Sequence, residues 1–528
     1  MQTKLWGTKI LVTGATAPEL QQLRRNAVNH ETKGSTFIVE DNIFNRTLLG
    51  IDYPEFMFET EKACAVSEAA RAYQKKDIEH MLRLRYVMNR NKPGYGKTFE
   101  SIEYCRVLGL KKILVVCPKS VRSQWKKEFK RWWPEVEQHI VNGGPGVDKE
   151  GWCVYITNYE SFTPRRPRGS KRDIMSQTWM KCKTFSWDVI ILDESHRIKN
   201  AGAKITTAIK DLPGFRRMCL TGTPILGRPD DLWSQLHFLA PFYSGGSYWE
   251  FAKRFCELEH NGFGNKPIGL TPSSSAQDLL ARVLAEITVG GDNHKLTEGK
   301  NIIEIELDMD QRQRKLYHEI TSLCLDSLAE NGITIKNAMD QIIKQQQVTT
   351  NCSRFLRGEK EIVCPRNPKF EWIADWLEDN EGEKVVIFSK FAETINALQS
   401  YLSTRKYQTV TYHGKMSERV RAEAKEYFVQ HSSCRAILGT IGALGTGVDG
   451  LQDVCRNVIF LDRDWTPGIN EQAEERVNRS GQVGMTNVWI LYMKKSIDKY
   501  VEGIQTKKAN DIKEIFELVN SYGAGSGE

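Results

Sequence analysis

The chain has 528 residues, of which 40% are apolar and 27% charged, and this length allows about two to four globular domains. Its formal net charge of +8 favours an anionic partner only modestly, because the excess is spread over the whole chain. No apolar run approaches the roughly 18 residues that cross a bilayer, and the N-terminus does not open a secretory signal. We therefore expect a soluble intracellular protein that does not enter a membrane.

The first sixty residues combine strand-like runs at 9–13 and 36–39 with a helix-like segment at 18–29. This pattern predicts a small α+β accessory domain over residues 1–60, which is a candidate for substrate recognition. The turn after the first run contains Gly14 but lacks the three spaced glycines of a dinucleotide-binding turn. We interpret it as an ordinary strand-to-helix turn.

Two long stretches, 61–240 and 366–515, alternate short β-rich runs with helix-like segments, which is typical of parallel α/β sheets. The range 241–365 between them is mostly charged and helical in pattern, and 516–528 reads as a flexible tail. The sequence therefore predicts an α/β protein of two parallel-sheet lobes joined by a helical bridge. The predicted strands are 113–117, 153–157, 189–192 and 218–221, then 384–389, 409–412, 436–439, 457–461 and 488–491, and the clearest bridge helices are 311–323 and 333–347.

The twelve cysteines are scattered along the chain and form no Cys-x-x-Cys pair or Cys/His cluster. Several lie in apolar runs such as 113–117. We expect buried reduced thiols rather than a zinc module or disulfides.

The segment Gly94-Tyr95-Gly96-Lys97-Thr98 is typical of a phosphate-binding loop. Backbone N–H groups of the tight turn can face phosphate oxygens, the Lys97 ammonium can reach the β- and γ-phosphates, and the Thr98 hydroxyl can bind Mg²⁺. Asn91 replaces the usual first glycine, so the segment alone does not establish an ATP site.

Asp193 and Glu194 follow the apolar run 189–192, which a buried strand would place at the ligand-binding edge of a parallel sheet. Asp193 is expected to hold Mg²⁺, mostly through water, and Glu194 to orient or deprotonate the water that attacks a γ-phosphate. His196 is then a coupling residue and not a metal ligand. The alternative is a solvated acidic turn.

A third polar group lies far away, within residues 471–482. Gln472, Arg476 and Arg479 are spaced so that a continuous helix would place them on one face. Guanidinium groups stay charged and grip phosphate bidentately, so these arginines are candidate arginine fingers. The alternative is a charged surface helix paired by Glu474 and Glu475.

These motifs occur in the order found in superfamily-two helicases, and further segments are similar specifically to those of the Swi/Snf-type DNA translocases. The resemblance covers about residues 70–510, and a compact phage or bacterial member is the nearest type. The segments that support the broader assignment are Tyr73-Gln74, 94–98, 117–120, Gln124-Trp125, 157–160, 193–200 and 221–224. Those that support the narrower one are 231–236, 311–317, 384–391, Asp464-Trp465 and 472–482.

The resemblance implies two RecA-like lobes with ATP and Mg²⁺ between them and double-stranded or branched DNA across their other side. Residues 221–223 would couple hydrolysis to lobe movement, and Gln74 would read the adenine edge. The other residues implied beside the nucleotide are Gly445, Gly447, Asp449 and Gln472.

Some positions depart from the pattern of this family. Asn91-Lys92 replaces an acidic pair, Pro93 replaces Met, Gly227-Arg228 replaces paired Asn, and Asp449 stands where Asn is common. These departures affect the expected coupling to the substrate rather than phosphate binding.

Phosphate contacts should dominate DNA binding, because a translocase must move across any sequence. The basic segment 165–172 is either a further grip on the DNA backbone or a solvated loop. Trp125, Trp132 and Trp133 are interpreted as core residues rather than base-stacking residues. The motif-matched DNA contacts are Lys119, Ser120, Arg122, Lys390 and Thr440.

The leading hypothesis is an ATP-dependent motor that tracks along duplex DNA and remodels forks, junctions or bound proteins in replication, recombination or repair. Only about sixty residues precede the predicted motor, so we expect no histone-reading module. A monomer with replication or recombination partners is favoured, in a bacterial or phage-infected cytoplasm or, in a eukaryote, in the nucleus. The alternatives are an RNA or RNA-polymerase-associated translocase and an ATP-switched interaction protein without turnover.

Overall fold

The structure, a computed structural model, divides the chain into two compact units, and each is described here by itself. The first comprises Met1–Lys92, Gly96–His294 and Asn510–Glu528, and the second comprises Pro93–Tyr95 and Lys295–Ala509. The described residues are 1–6, 9–27, 30–51, 62–140, 153–166, 174–260, 262, 264–291, 299–330, 335–351, 355–357, 360–362, 366–445, 448–479, 482 and 484–524.

The strands and helices have the following bounds. The strands are β1 (Gln2–Trp6), β2 (Lys9–Thr13), β3 (His30–Lys33), β4 (Thr36–Glu40), β5 (Tyr86–Asn89), β6 (Lys112–Cys117), β7 (Glu137–Ile140), β8 (Cys153–Asn158), β9 (Trp187–Asp193), β10 (Gly214–Leu220), β11 (Cys256–His260), β12 (Asn265–Leu270), β13 (Thr288–Val289), β14 (Lys300–Leu307), β15 (Phe355–Arg357), β16 (Lys360–Ile362), β17 (Val385–Ser389), β18 (Gln408–Tyr412), β19 (Cys434–Thr440), β20 (Asn457–Phe460) and β21 (Thr486–Met493). The helices are α1 (Ala17–Asn26), α2 (Ile43–Leu49), α3 (Ala72–Leu82), α4 (Lys97–Val107), α5 (Arg122–Trp132), α6 (Gln177–Lys183), α7 (Lys204–Lys210), α8 (Trp233–Leu239), α9 (Pro241–Ser244), α10 (Tyr248–Phe255), α11 (Ser274–Ile287), α12 (Gln311–Glu330), α13 (Ile335–Thr350), α14 (Pro368–Asp379), α15 (Ala392–Thr404), α16 (Glu418–Gln430), α17 (Ile441–Leu444), α18 (Pro467–Glu474) and α19 (Ile497–Ala524).

The N-terminal part of the first unit is an antiparallel sheet in the order β1-β2-β4-β3. Ile10 and Val12 alternate along β2 and pack against Phe37 of β4 and Leu23 of α1. This period of two gives the strand one buried face. The accessory role expected for residues 1–60 stays a prediction, and Phe44 of α2 lies in the larger core of the first unit.

Within the described residues, a seven-stranded parallel sheet in the order β13-β5-β10-β9-β6-β8-β7 forms the centre of the first unit. Val189 to Leu192 of β9 are completely buried, and alternate residues along the strand face two different apolar cores. A strand covered on both faces has a continuous apolar sequence, which is why these strands could be predicted.

The described strands of the second unit form a six-stranded parallel sheet in the order β14-β21-β20-β17-β19-β18. Val386 and Phe388 of β17 face one apolar core, and Val385 and Ile387 face the other. The predicted fold class, an α/β protein with two parallel-sheet lobes, is confirmed.

The range 241–365 contains the expected helices, among them α12 and α13, but it also contributes strands to both sheets. Its strand β13 adds an edge to the first sheet, and its strand β14 adds an edge to the second. The charged pattern of β14 hides the strand, since this edge strand has no completely buried residue and alternates half-buried and exposed residues over most of its length. The expected domain boundaries stay predictions.

Residues 516–524 of the C-terminal segment also differ from the expected flexible tail, and residues 525–528 lie outside the described residues. Helix α19 continues to Ala524, and Ile515 and Val519 are buried in a core of the first unit. Their spacing of four residues places them on one helix face, and this face packs into that core.

The cysteines whose side chains the structure describes are free, and all of them except the half-buried Cys64 are buried. Among the helices of the described ranges, none combines the length and the apolar character needed to span a bilayer.

A buried ion pair ties together three segments of the second unit. Lys369 of α14 is completely buried, and its Nζ donates to Asp498 Oδ2 at 2.9 Å and to the backbone oxygen of Leu461 at 2.6 Å. Asp498 also accepts hydrogen bonds from the Thr349 hydroxyl and from the Met493 N–H. The pair therefore holds the start of α19 against α14 and the end of β20.

Asp498→Asn is expected to lower the free energy of unfolding by about 3–5 kcal/mol, because the Lys369 ammonium then stays buried without a counter-charge. Urea unfolding measures this change. Glu423→Gln is the matched control, since Glu423 pairs with Arg419 at 2.7 Å on an exposed face of α16 and its loss should leave the midpoint unchanged. Equal stability of the two variants would contradict the role assigned to Asp498.

Candidate functional site

The loop between β5 and α4 has the backbone of a phosphate-binding turn. Gly94 and Gly96 have φ values of 84° and 91°, in the left-handed region that favours glycine. A Cβ added at Gly96 would also collide with the side-chain nitrogen of Gln74. The turn therefore leads directly into the N-terminus of α4 at Lys97, where backbone N–H groups are available to an anion.

Gln74 and Lys97 are both positioned by hydrogen bonds to the backbone around this loop. Lys97 Nζ donates to the backbone oxygen of Asn91 at 2.6 Å, and Thr98 is half-buried beside it. Gln74 is buried, and its side-chain oxygen accepts from the Arg71 N–H at 3.0 Å. The structure thus places Gln74 against the glycine turn, and its contact with adenine stays a prediction.

A buried polar cluster supports this loop, and sequence reasoning missed it. The Asn91 amide donates to Asp77 Oδ2 at 2.8 Å and to both Glu100 oxygens at 3.1 and 3.2 Å. Asn89 donates to Glu100 at 2.6 Å. Burial raises the pKa of Glu100 to about 7, and the Asp77 charge adds to this effect. The only signal of this cluster in the sequence is Asn91, which stands where an acid was expected. An amide at this position can donate to both carboxyl groups, whereas a third carboxylate would repel them.

Asp193 ends β9 and is held from two sides. Its Oδ2 accepts from the indole N–H of Trp125 at 2.8 Å, and its backbone oxygen accepts from the Tyr159 hydroxyl at 2.8 Å. Burial and then the Glu194 charge raise the pKa of Asp193 to about 6, while the Trp125 hydrogen bond and the Lys97 charge act against this rise. Lys97 and Asp193 therefore belong to one electrostatic site.

Glu194 has a φ of 54°, which is rare for a residue with a side chain. This conformation costs about 1–3 kcal/mol and is typical of functional sites. It turns the chain sharply after β9, so that consecutive carboxylates can lie at one edge of the sheet. Hydroxyl and carboxylate oxygens such as those of Thr98 and Asp193 are the ligands that Mg²⁺ prefers, and the raised pKa of Asp193 is one that a bound cation would reverse. The residues present therefore fit a magnesium ion.

His196 connects Glu194 to the segment after β10. Its Nδ1 lies 3.0 Å from Thr221 Oγ1 and 3.5 Å from Glu194 Oε2. Thr221 Oγ1 also accepts from the Thr223 N–H at 3.1 Å. Burial lowers the pKa of His196, although the Glu194 charge opposes this effect, so the imidazole is neutral at neutral pH and can donate or accept one hydrogen bond. The coupling role expected for His196 stays a prediction.

A second connection begins at Ser195 and was not predicted. Ser195 Oγ donates to Gln235 Oε1 at 2.7 Å, and Gln235 Nε2 donates to the backbone oxygens of Pro224 and Asp231 at 2.7 and 3.0 Å. Asp231 Oδ2 in turn accepts from the N–H groups of Leu226 and Gly227. The acidic strand end is thus hydrogen-bonded to α8 as well as to the segment after β10.

The prediction that Gln472, Arg476 and Arg479 share one face of a continuous helix is wrong. Helix α18 ends at Glu474, and the N–H groups of Arg476 and Val477 bond to carbonyls only three residues earlier. Lys300 Nζ lies 2.9 Å from Glu474 and 3.1 Å from Glu475. These acids are only 5% and 4% exposed, so the alternative of a solvated surface helix is also wrong. The chain therefore leaves the helix in tight turns at the point where these buried ion pairs form.

The two arginines nevertheless meet the same segment of the second unit. Arg476 Nε donates to the backbone oxygen of Gly445 at 2.9 Å, and Arg479 Nη1 lies 2.8 Å from Asp449 Oδ1. Gln472 is buried on α18. Gly447 lies outside the described residues.

The candidate DNA contacts lie where strands end, and their contact with DNA stays a prediction. Lys119 and Ser120 are exposed just before α5, and Arg122 Nη1 donates to Asn158 Oδ1 at 3.2 Å. Lys390 and Thr440 are half-buried after β17 and at the end of β19. Most of the basic segment 165–172 lies outside the described residues.

The core interpretation of the tryptophans is confirmed. Trp125 and Trp133 are buried, and the half-buried Trp132 packs edge-on against Phe99 with ring centroids 4.7 Å apart. What the sequence did not indicate is that the indole of Trp125 has its second role at Asp193.

Two family models match the chain. Residues 56–364 match the SNF2-related domain, and residues 368–481 match the helicase conserved C-terminal domain. These matches confirm the resemblance that the order of motifs predicts.

Curated relatives have similar sequences over most of this chain. The SWI/SNF-related matrix-associated actin-dependent regulator of chromatin subfamily A member 1 of Homo sapiens is 26% identical over 445 residues, covering 77% of this chain and 39% of the relative. The ISWI chromatin-remodeling complex ATPase ISW1 of Saccharomyces cerevisiae is 25% identical, covering 86% and 41%. The uncharacterized ATP-dependent helicase MG018 of Mycoplasma genitalium is 26% identical, covering 82% and 41%. The chain therefore spans about two fifths of the length of these relatives.

Among solved structures, the SWI2/SNF2 ATPase core of Sulfolobus solfataricus in complex with dsDNA is 22% identical, with a TM-score of 0.39. The match covers 87% of this chain and 94% of that one.

Glu100→Gln is expected to remove part of the pH dependence of stability. A carboxyl group whose pKa is raised on folding stabilises the protein below its unfolded pKa, and this contribution is lost as the pH rises through about 7. Relative to wild type, the variant should gain about 1 kcal/mol in unfolding free energy between pH 6 and pH 8. Denaturant unfolding at both pH values measures the gain, with Glu79→Gln on the exposed side of α3 as control. A parallel pH dependence in wild type and Glu100→Gln would show that Glu100 does not titrate in this range.

Proposed function

Because the chain belongs to the SNF2-related family of superfamily-two helicase-like ATPases, we propose that it is an ATP-driven motor that moves along double-stranded DNA. The observation that best supports this proposal is the pair of hydrogen-bonded connections that leave the acidic strand end at Ser195 and His196. An ATPase that only hydrolyses nucleotide has no need of them. A motor must transmit the state of its nucleotide to other parts of the molecule.

The proposed chemistry begins with phosphate binding. Lys97 and the N–H groups of the glycine turn bind the phosphates, and Gln74 is proposed to bind the adenine. Thr98 and Asp193 would hold Mg²⁺, which would supply positive charge beside the transferred phosphoryl group. Glu194 orients or deprotonates the attacking water, and Trp125 keeps the Asp193 carboxylate fixed and favours its charged form.

Arg476 and Arg479 are proposed to stabilise the negative charge that develops on the phosphoryl group, as guanidinium groups do in many phosphoryl-transfer enzymes. Gln472, Gly447 and Asp449 are proposed to lie beside the nucleotide. The two arginines are already hydrogen-bonded to Gly445 and Asp449, so a contact at either arginine can alter the position of its partner.

Hydrolysis is proposed to be transmitted through the two connections. Loss of the γ-phosphate alters the contacts of Glu194, and His196 passes this change to Thr221. The Ser195 hydroxyl does the same for Gln235 and the start of α8. Coupling of this kind needs an element with two discrete arrangements, and a buried hydrogen-bonded network satisfies that condition better than a flexible loop.

Duplex DNA is the proposed track, with contacts mainly to phosphates because a motor must ignore sequence. Lys119, Ser120, Arg122, Lys390 and Thr440 are the proposed contacts. The proposed task is remodelling of forks, junctions or protein–DNA complexes in replication, recombination or repair, as a monomer with partners from these processes. The proposed site of action is the bacterial or phage-infected cytoplasm, or the nucleus in a eukaryote.

ATP turnover is expected to rise on addition of duplex DNA and to fall at least about a hundredfold in Lys97→Ala and Glu194→Gln, because each removes a group that acts on the γ-phosphate. Phosphate release with and without a linear duplex measures both effects. Lys75→Ala, an exposed lysine on α3, is the matched control and should keep wild-type turnover.

The same assay with duplex RNA and with single strands separates the alternatives. Stronger stimulation by RNA would replace the DNA motor by an RNA translocase. ATP binding without phosphate release under every nucleic-acid condition would favour an ATP-switched interaction protein.

Ser195→Ala and Gln235→Leu are expected to uncouple hydrolysis from movement. Each deletes one partner of the 2.7 Å hydrogen bond, so DNA-stimulated translocation should fall about five- to tenfold while turnover without DNA changes little. Displacement of a third strand from a DNA triplex measures translocation. Because the two residues act through one contact, the double variant should be no worse than the poorer single one. Fully additive losses would contradict a shared connection.

A further inference from the structure

Arg479 is already paired with an anion of the protein itself. Its Nη1 donates to Asp449 Oδ1 at 2.8 Å, and its Nε donates to the backbone oxygen of Glu475 at 2.9 Å. The Arg479 side chain is only 11% exposed, whereas that of Asp449 is 51% exposed. The guanidinium is therefore held at two points, and one of its two partners is accessible from solvent.

Ionisation of both side chains strengthens the hydrogen bond between Arg479 and Asp449. Burial alone would raise the pKa of Asp449, but the Arg479 charge and hydrogen bond outweigh burial and lower it. Gln452 Nε2 also donates to Asp449 Oδ1, at 3.3 Å. Both partners are thus charged at neutral pH, and charge-assisted hydrogen bonds are the strongest kind that a guanidinium forms with a side chain.

The residue type at position 449 gives the pair its charge. A neutral amide at this position would accept a much weaker hydrogen bond from Arg479. A carboxylate and a phosphate oxygen are the same class of ligand for a guanidinium. A nucleotide phosphate that reached Arg479 would therefore compete with Asp449 for its guanidinium.

Arg476 offers a comparison within the same segment. It is buried, and it donates to the backbone oxygens of Gly445 and Val448 at 2.9 and 3.4 Å. Backbone carbonyls are neutral acceptors that fix the local fold. The contact between Arg479 and Asp449, by contrast, joins two charged side chains.

We propose that Asp449 is a positioning residue that holds Arg479 in the nucleotide-free protein and releases it when a phosphate of ATP takes its place. This inference rests on the proposed function, in which Arg479 contacts the nucleotide. If the protein can bind ATP only after the internal contact is broken, its apparent affinity for ATP is reduced in proportion to the fraction of molecules in which the contact is broken. Asp449 thus raises the ATP concentration that the protein needs.

Asp449→Asn tests the proposal, because it removes the charge and keeps the shape. The KM for ATP is expected to fall about two- to fivefold, which corresponds to a partly exposed ion pair, with kcat changing less. Equilibrium binding of ATP in a Glu194→Gln background should tighten by the same factor. Asp449→Ser, which removes the charge with a smaller side chain, must act in the same direction.

Two controls make the test specific. Asp453→Asn removes an equal charge from an exposed residue of the same segment and should leave KM at the wild-type value. In an Arg479→Ala background, Asp449→Asn should have no effect on KM, because the side chain for which the two anions compete is gone.

An unchanged KM in Asp449→Asn would overturn the proposal, and so would the same decrease in the Arg479→Ala background. An increased KM would also overturn it and would make Asp449 a direct ligand of the nucleotide. These results leave the proposed function standing as long as turnover still depends on Lys97 and on duplex DNA. Loss of that dependence is a failure of the proposed function instead.

Discussion

The carboxylate of Asp193, placed at the end of a strand that is buried on both faces, is the constraint on which the rest of the site depends. An ionised carboxylate in such a place is costly, and the structure reduces the cost with the Trp125 indole and the nearby Lys97 ammonium. The indole can reach Asp193 because α5 packs its apolar face onto the sheet. The packing of α5 onto the sheet is therefore also what stabilises the charge of Asp193.

The same reasoning applies to the polar groups around it. Asn91, Glu100, Ser195 and Gln235 are almost completely buried, and each is hydrogen-bonded. In a low-dielectric interior a satisfied network is rigid, and one missing partner is expensive. The loop that is proposed to bind phosphate and the strand end that is proposed to bind magnesium are thus both built on polar supports, which allow few intermediate arrangements.

The sheets and the local motifs could be predicted, since both depend on short stretches of sequence. A strand such as β9 must be continuously apolar, and the turn at Gly94 and Gly96 needs residues without a Cβ. The predictions that failed concern contacts between residues that lie far apart in the sequence. The helix was expected to continue through Arg479, but it ends at Glu474. Glu474 and Glu475 pair there with Lys300, which lies more than 170 residues away in the sequence. The hydrogen bonds of Trp125 to Asp193 and of Ser195 to Gln235 likewise join residues 68 and 40 positions apart. No local sequence pattern indicates them.

Strand β13 has a consequence for how the first lobe could exist alone. It pairs with β5 at the edge of the sheet, and the following Gly291 donates its N–H to Asn91. A fragment ending at residue 240 would expose β5 as an open edge, the kind of surface that recruits strands from other chains. Such a fragment would also lose the hydrogen bond that Gly291 donates to Asn91, the residue that supports the loop proposed to bind phosphate. The segment between the lobes is therefore part of the first lobe's protection against aggregation, and it cannot be exchanged freely for a linker.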